Sequence, residues 1–272
     1  LSRYVLNVSD FHVGNMFGLF PANFRTSTDS ILMLNSGQRY LLECWEDIIS
    51  KQPETIDILN LNGDMIDGQN RFEISRGLSE VDPMWQVRAA EQLLEPLVSR
   101  AKEIRFTQGS TYHVGRGGAW DEVLAERIGA KRDAWGHYAS AWWRYYFPGE
   151  DGFYFDLAHR QSTTIRYRSM PLERELDFCL GRFARMGVAP PSKIVITRSH
   201  THVGYSKWEE ECGIAVSTPA MKLQDDFAKT RITPNRIIPD NLGVVGYYID
   251  GDELHVEPYL YRHPEQGVDV IQ

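Results

Sequence analysis

Strand-like apolar runs in this chain end, one after another, on aspartate or histidine. RYVLNVS at Arg3–Ser9 leads into Asp10 and His12. TIDILNL at Thr55–Leu61 leads into Asp64 and Asp67. FYFDL at Phe153–Leu157 leads into His159, and KIVIT at Lys193–Thr197 leads into His200 and His202. Short runs of this kind, alternating or continuously apolar, read as strands. A fifth, EIRFT at Glu103–Thr107, precedes His113. Gly213–Ser217, Gly243–Ile249 and Leu254–Leu260 complete the set.

Helical patterns lie between the early strands. Thr28–Ser50 spaces Ile31, Leu34, Leu41, Leu42, Trp45 and Ile48 for one amphipathic face. Trp85–Lys102 is a second helix, which Pro96 should bend or divide. Asp121–Ile128 and Leu172–Met186 are the third and fourth. Strands alternating with helices, followed by consecutive strands, predict an α/β fold with a mixed sheet or two stacked sheets flanked by helices. No internal repeat, low-complexity tract or Gly/Ser linker interrupts residues 1–272, so a single domain is expected.

The placement of the polar residues points to chemistry. Loops at the carboxyl ends of strands are where α/β proteins build sites. Asp10 and His12, like His200 and His202, are two apart, so an extended segment would aim both side chains of each pair the same way. Each residue has an ordinary alternative, as a satisfied polar group or a turn residue. Their recurrence at successive strand ends is what favours a site. Carboxylate and imidazole together suit Zn, Fe or Mn better than Mg or Ca.

Composition narrows the field. The net charge is −8 and the isoelectric point is near 5.5, which argues against a broad surface for duplex nucleic acid. No apolar stretch reaches the ~18 residues of a membrane span. Leu1 to Asp10 carry no basic segment followed by an apolar run. Cys44, Cys179 and Cys212 are widely spaced and odd in number, which reads as reduced thiols. A cytoplasmic protein is expected from these features.

The order of motifs resembles that of the calcineurin-like metallophosphoesterases. D-x-H stands at Asp10–His12, G-D-x-x-D at Gly63–Asp67, and a histidine-bearing glycine loop at Gln108–Gly115. His159 then follows a strand, and H-x-H stands at His200–His202. The resemblance implies a four-layer α-β-β-α sandwich and a centre for two divalent metal ions. Asp10, His12 and His202 would hold one ion, His159 and His200 the other, and Asp64 would bridge them. Two departures stand out. Ser199 replaces the glycine that usually precedes H-x-H. The third motif, G-N-H in the family, here reads Q-G-S-T-Y-H-V-G and has no asparagine. Either Ser110 or Thr111 replaces that ligand with His113 as proton donor, or His113 itself binds the second metal. The latter is slightly favoured, because the loop offers no other nitrogen ligand.

Such a centre would hydrolyse phosphate esters. Two cations ~3.5–4 Å apart can share a hydroxide and clamp a phosphoryl group. Asp67 and Asp156 are candidates to orient ligand histidines. Arg116, Arg160 and Arg198, each beside a motif, are candidates for binding phosphate oxygens. Ala134–Phe147, AWGHYASAWWRYYF, is the densest aromatic stretch, and reads either as a packed hairpin or oligomer contact or as a surface that stacks on bases. Together with the arginines, it is the reason to expect phosphodiesters of nucleic acid or nucleotides as substrates. The alternatives are a phosphomonoesterase acting on a small molecule or phosphoprotein, and a catalytically weak scaffold that keeps the fold for binding.

Overall fold

The first strand shows how the layers arise. In β1 (Arg3–Val8) the neighbours Val5 and Leu6 are both fully buried, yet they join different cores. Successive strand residues face opposite sides of a sheet, so a strand buried on both faces feeds two layers. β2 (Ile56–Leu61) repeats the pattern, with Ile58 on one side and Leu59 on the other. The computed structural model describes residues 2–69, 77–149, 152–160, 170–202, 204–225 and 241–264.

Two mixed sheets result. The six-stranded sheet adds β3 (Ala101–Thr107), the short β4 (Ala139–Ser140), β10 (Asn241–Asp250) and β11 (Glu253–Arg262), in the order β11-β10-β1-β2-β3-β4. β1 to β4 run parallel, while β10 and β11 form an antiparallel edge. The five-stranded sheet is built from β5 (Trp143–Phe147), β6 (Phe153–Leu157), β7 (Ile194–Arg198), β8 (Ser206–Glu210) and β9 (Gly213–Ser217), in the order β5-β6-β7-β9-β8. Its three central strands are parallel and both edge strands antiparallel. Val5, Ile58, Val245 and Tyr247 of the first sheet pack on Phe155, Val195 and Val216 of the second. The fold is thus mixed α/β, with two stacked sheets and helices outside.

Helices cover both outer faces. α1 (Ser36–Lys51) and α2 (Pro83–Val98) lay Leu41, Trp45, Ile48, Val87, Ala90 and Leu94 against Leu6, Leu59 and Phe106. The Trp45 indole donates to the Leu93 carbonyl at 3.0 Å and locks the two helices together. On the other face, Leu172, Leu176 and Phe183 of α5 (Met170–Met186) meet Tyr154, Ile194 and Ile196. The short α3 (Thr111–Val114) and α4 (Ala119–Arg127) follow β3.

The first two helices have bounds that differ from those expected. The first helix begins at Ser36 rather than Thr28. Asn35 accepts from the Gln38 backbone at 2.9 Å, and the Gln38 side chain accepts from the Asn35 backbone at 3.3 Å, so a capping box sets the start. The residues before it are held in a loop by bonds among Thr26, Thr28 and Ser30. The second helix starts on the Asp82 cap and Pro83, and ends at Val98. Pro96 neither bends nor divides it at mid-length. It sits in the last turn, and Ala101–Lys102 already belong to β3. No helix among the described residues is long and apolar enough to cross a membrane. The three cysteines are free thiols.

Candidate metal centre

Strained backbone marks the site before any side chain is considered. Among the described residues, seven that are not glycine have positive φ. Five of them are Asp10 (54°), His12 (48°), Asp64 (52°), His200 (75°) and His202 (52°). Left-handed backbone costs non-glycine residues roughly 1–3 kcal/mol each and persists where the surroundings enforce it. Here it turns the chain sharply at the end of each strand and gathers the side chains at one end of the sandwich.

Backbone bonds fix the loops to one another. Asp10 N–H donates to the Gly63 carbonyl at 3.1 Å, His12 N–H to that of Asp64 at 3.1 Å, and Asp67 N–H to that of Val13 at 2.9 Å. Gly63 and Gly109 allow the second and third motifs to touch. A β-carbon on Gly63 would lie 2.7 Å from both the Gly109 α-carbon and His159 Nδ1, and one on Gly109 would collide with the Asp64 carboxylate.

Among the described residues three groups of ligand atoms result, each drawn within 4.8 Å: Asp10, His12 and His202; His12, Asp64 and His113; and Asp64, His159 and His200. Within the first, His202 Nε2 lies 2.9 Å from Asp10 Oδ1 and 3.1 Å from His12 Nε2. Within the last, His159 Nε2 lies 3.0 Å from Asp64 Oδ2 and 3.1 Å from His200 Nδ1. Asp64 joins two of the groups. His200 is the most exposed member, at 40% of its side chain, whereas Asp10, His12, Asp64 and His159 are buried.

The donor set fits cations. His12 donates from Nδ1 to Asp67 at 3.0 Å, and His159 donates from Nδ1 to the Asn62 carbonyl at 2.7 Å. Those tautomers leave the Nε2 lone pairs directed at the carboxylates and at a second imidazole nitrogen. Two convergent nitrogens 3.1 Å apart beside carboxylate oxygens form a set that a divalent cation would satisfy.

Electrostatics agree with that reading. Burial resists ionisation of Asp10, Asp64 and Asp67, but the neighbouring imidazoles hold all three well below the usual carboxylate range. Burial would lower His159 too, yet the Asp64 and Asp10 carboxylates lift it to about 9. Burial outweighs Asp10 at His202, which falls to about 4 and so offers a neutral lone pair.

His113 stands with His12 rather than with His159. Its Nδ1 lies 3.1 Å from Asp67 Oδ1 and 3.2 Å from the Asp67 carbonyl, and its ring meets that of His12 edge-on at 4.4 Å. Its ligand atom lies within 4.8 Å of those of Asp64 and His12, a place compatible with either role expected of it. α3 puts it there: its single turn, opening at Ser110, swings His113 across to the G-D-x-x-D loop. Ser110 bonds to Asp64, its N–H reaching Oδ1 at 2.7 Å and its hydroxyl Oδ2 at 3.0 Å. Thr111 is exposed.

Asp67 occupies the orienting position expected of it, with Asn15 donating to its second oxygen at 3.0 Å. Asp156 does not. It is buried in an ion-pair network with Arg198 at 2.8 Å and Arg144 at 2.7 Å. Arg198, further tied to Glu175 at 2.9 Å, is for the same reason a structural cation and not a free phosphate binder. Arg116 and Arg160 are exposed beside His113 and His159.

Three buried residues near the centre have contacts that the sequence did not assign. Ser199 places its hydroxyl 3.0 Å from the Asn62 carbonyl and 3.2 Å from His159 Nδ1. Asp121 accepts from the Gly109 N–H at 2.7 Å, and burial and the Asp64 charge push it up to about 8. Lys222 is buried against Asp225 at 2.6 Å, and Asp67 is the largest influence holding its ammonium charged against the cost of burial. Only Ser199 had a signal in the sequence, as a departure from the family motif.

No protein-family model matches this sequence, and no curated protein matches it. Solved structures align along nearly the whole chain at low similarity. A dimetal phosphatase from Danio rerio is 9% identical, with 94% of this chain and 95% of that one covered, at a TM-score of 0.47. Vps29 from Entamoeba histolytica is 10% identical over 95% and 99%, at 0.42. A predicted phosphoesterase from Streptococcus pneumoniae is 14% identical over 95% and 89%, at 0.38. Similarity at this level says nothing of activity, which rests on the side chains themselves.

Proposed function

We propose that this protein hydrolyses phosphate esters with two divalent cations, and that phosphodiesters of nucleotides or nucleic acid are its substrates. The observation that carries the reading is the Asp64 carboxylate, shared between the group of His12 and His113 and the group of His159 and His200, while His12 in turn joins Asp64 to Asp10 and His202. Asp10, His12 and His202 would hold one cation and His159 and His200 the other, with Asp64 common to both. Manganese, zinc and iron suit this donor set. Such a pair would supply charge neutralisation for a phosphoryl group and would acidify a water enough to provide hydroxide as nucleophile near neutral pH.

The chain's own residues do the rest. Asp67 holds His12 in the tautomer that presents Nε2, and the Asn62 carbonyl does the same for His159. His113 carries a proton readily, because Asp64 and Asp67 raise it against the effect of burial. With Nδ1 held by Asp67, its Nε2–H is the group we assign to protonate the leaving oxygen. Arg116 and Arg160 flank the centre and would bind non-bridging oxygens.

The test combines metal analysis with turnover of bis(p-nitrophenyl) phosphate. Chelator should abolish activity, and Mn, Zn or Fe should restore it. Asp64→Asn should lose occupancy at both positions. Full occupancy in that variant would sink the bridging assignment. A second reading, a binding scaffold with weak turnover, is favoured by one observation: Ser110 bonds to Asp64 and leaves the second group short of a ligand. Full metal content without turnover of mono- or diesters would select it. Faster turnover of p-nitrophenyl phosphate than of the diester would select a monoesterase.

A further inference from the structure

The aromatic stretch divides into two sides. Along β5, Trp143, Tyr145 and Phe147 turn inward and pack against the core between the sheets, and Tyr145 stacks on Phe155 with ring centroids 5.2 Å apart. The alternate residues Trp142, Arg144 and Tyr146 face out. Trp142 is 44% exposed and Trp135 is 71% exposed. Trp is among the most costly side chains to leave in water, so a pair this open needs a reason.

The pair is held, not trailing. Trp135 rides a closed turn in which Asp133 accepts from the backbones of Trp135 and His137, both at 2.9 Å, while its own N–H donates to the His137 carbonyl at 2.7 Å. Trp142 is fixed through its carbonyl, which accepts from the Ser140 hydroxyl at 2.9 Å. The two indoles meet at 82° with centroids 6.4 Å apart, and the Arg144 guanidinium lies 5.3 Å from the Trp142 ring. Two indoles in contact on held backbone, with a nearby cation, make a platform of the kind that single-stranded nucleic acid stacks on.

The register puts this platform at the metal end of the sandwich. Trp143 pairs with Leu157, so Trp142 lies one step beyond that pair and His159 two. Both residues thus lie just past the ends of β5 and β6 on the side where the candidate ligands gather. On its other side, Gln108 N–H donates to the Ser140 carbonyl at 2.8 Å, two residues before Ser110 reaches Asp64. The exposed Arg116 and Arg160, which follow Ser110 and His159 in the chain, are cations available to the phosphates of such a strand.

We propose that Trp135 and Trp142 form a base-stacking subsite for an unpaired nucleobase of a single-stranded nucleic-acid substrate whose adjacent phosphate reaches the metal centre. The subsite deepens the phosphoesterase reading and rests on it. It makes the substrate a polynucleotide with unpaired bases rather than a small phosphodiester.

The experiment measures binding without turnover. Chelator-treated protein is titrated with a short fluorescein-labelled oligodeoxythymidylate and with an abasic oligonucleotide of the same length, read by anisotropy. The two probes share phosphates and differ in bases. Trp135→Ala and Trp142→Ala should each weaken thymidylate binding by roughly 5- to 100-fold and leave abasic binding nearly unchanged. Trp142→Phe should recover most of the loss. Equal affinity of the wild type for both probes, or unchanged thymidylate binding in both alanine variants, overturns the subsite. So does a wild-type dimer, measured by light scattering, that dissociates on Trp135→Ala, since the indoles would then belong to a subunit contact. Failure of the parent reading shows elsewhere, as wild-type protein that holds two metals and turns over no aryl ester.

Discussion

His12 and His113 share one carboxylate oxygen: Asp67 Oδ1 lies 3.0 Å from Nδ1 of the first and 3.1 Å from Nδ1 of the second. One buried aspartate therefore sets the tautomer of a candidate metal ligand and of the candidate proton donor. Asp67→Asn keeps the shape, but its oxygen is a weaker acceptor and its amide cannot accept at all. Outer-shell changes of this kind typically cost about 10–100-fold in metal affinity or activity. The expected result is that loss at the His12 group, with the His159 group still able to bind. Stepwise metal titration by calorimetry reads the two affinities separately, and an even loss at both would refute the selective role.

His113→Ala separates its two possible duties. An acid role leaves metal content intact and produces a rate deficit that shrinks as the leaving group improves, because a weakly basic leaving oxygen needs little protonation. Its position beside His12 and Asp67, with Nδ1 already engaged, favours that outcome. The measurement is kcat on a series of aryl phosphodiesters, with metal content determined on the same samples. Loss of about one metal and an equal deficit on every ester would make it a ligand instead.

Much of this centre was legible because strand ends leave a signature: apolar runs stop abruptly at Asp10, Asp64, His159 and His200. The sandwich was legible for a related reason, since neighbours such as Val5 and Leu6 are both apolar only when a strand is covered on both faces. What escaped was set by contacts distant in sequence. Asp156 lies in an equally suggestive run, yet Arg198 from the adjacent strand captures it. Lys222 and Asp121 carry no local pattern that places them near Asp67 or Asp64. The start of α1 was hidden by Ile31 and Leu34, which extend the helical spacing backward past the true cap at Asn35.

Ser199 is where the last motif departs from its expected glycine, and its hydroxyl links the loop to Asn62 and to His159. Ser199→Gly should restore the usual motif but free the His159 ring. The expected outcome is weaker binding at the second metal, by about tenfold, with the first little changed. Ser199→Ala should behave likewise, whereas Ser199→Thr should retain the hydroxyl contact. If glycine and alanine both match the wild type in metal titration, the hydroxyl does not position His159.

The metal-free protein should lose stability as the solution becomes alkaline. His159 is raised to about 9 in the fold, so its pairing with Asp64 and Asp10 contributes fully below its ordinary value of ~6.5 and is lost as pH rises through 9. Asp121, raised to about 8, acts in the same direction: the fold holds its proton, and that contribution disappears as pH climbs through 8. Asp10, Asp64 and Asp67 are depressed, so their contribution is present above the ordinary carboxylate range and lost only in stronger acid. The melting temperature in chelator should therefore peak under mildly acidic conditions and fall toward pH ~9. Asp121→Asn cannot ionise and should flatten the part of that fall below pH ~8. Bound metal should reverse the trend at His159, because a cation takes the place of its proton, so the rise in melting temperature on adding Mn or Zn should grow with pH. Thermal melts across this range, with and without metal, test both halves. A chelated protein that melts higher at pH ~9 than at pH ~6 would show that His159 and Asp121 do not carry their protons in the fold.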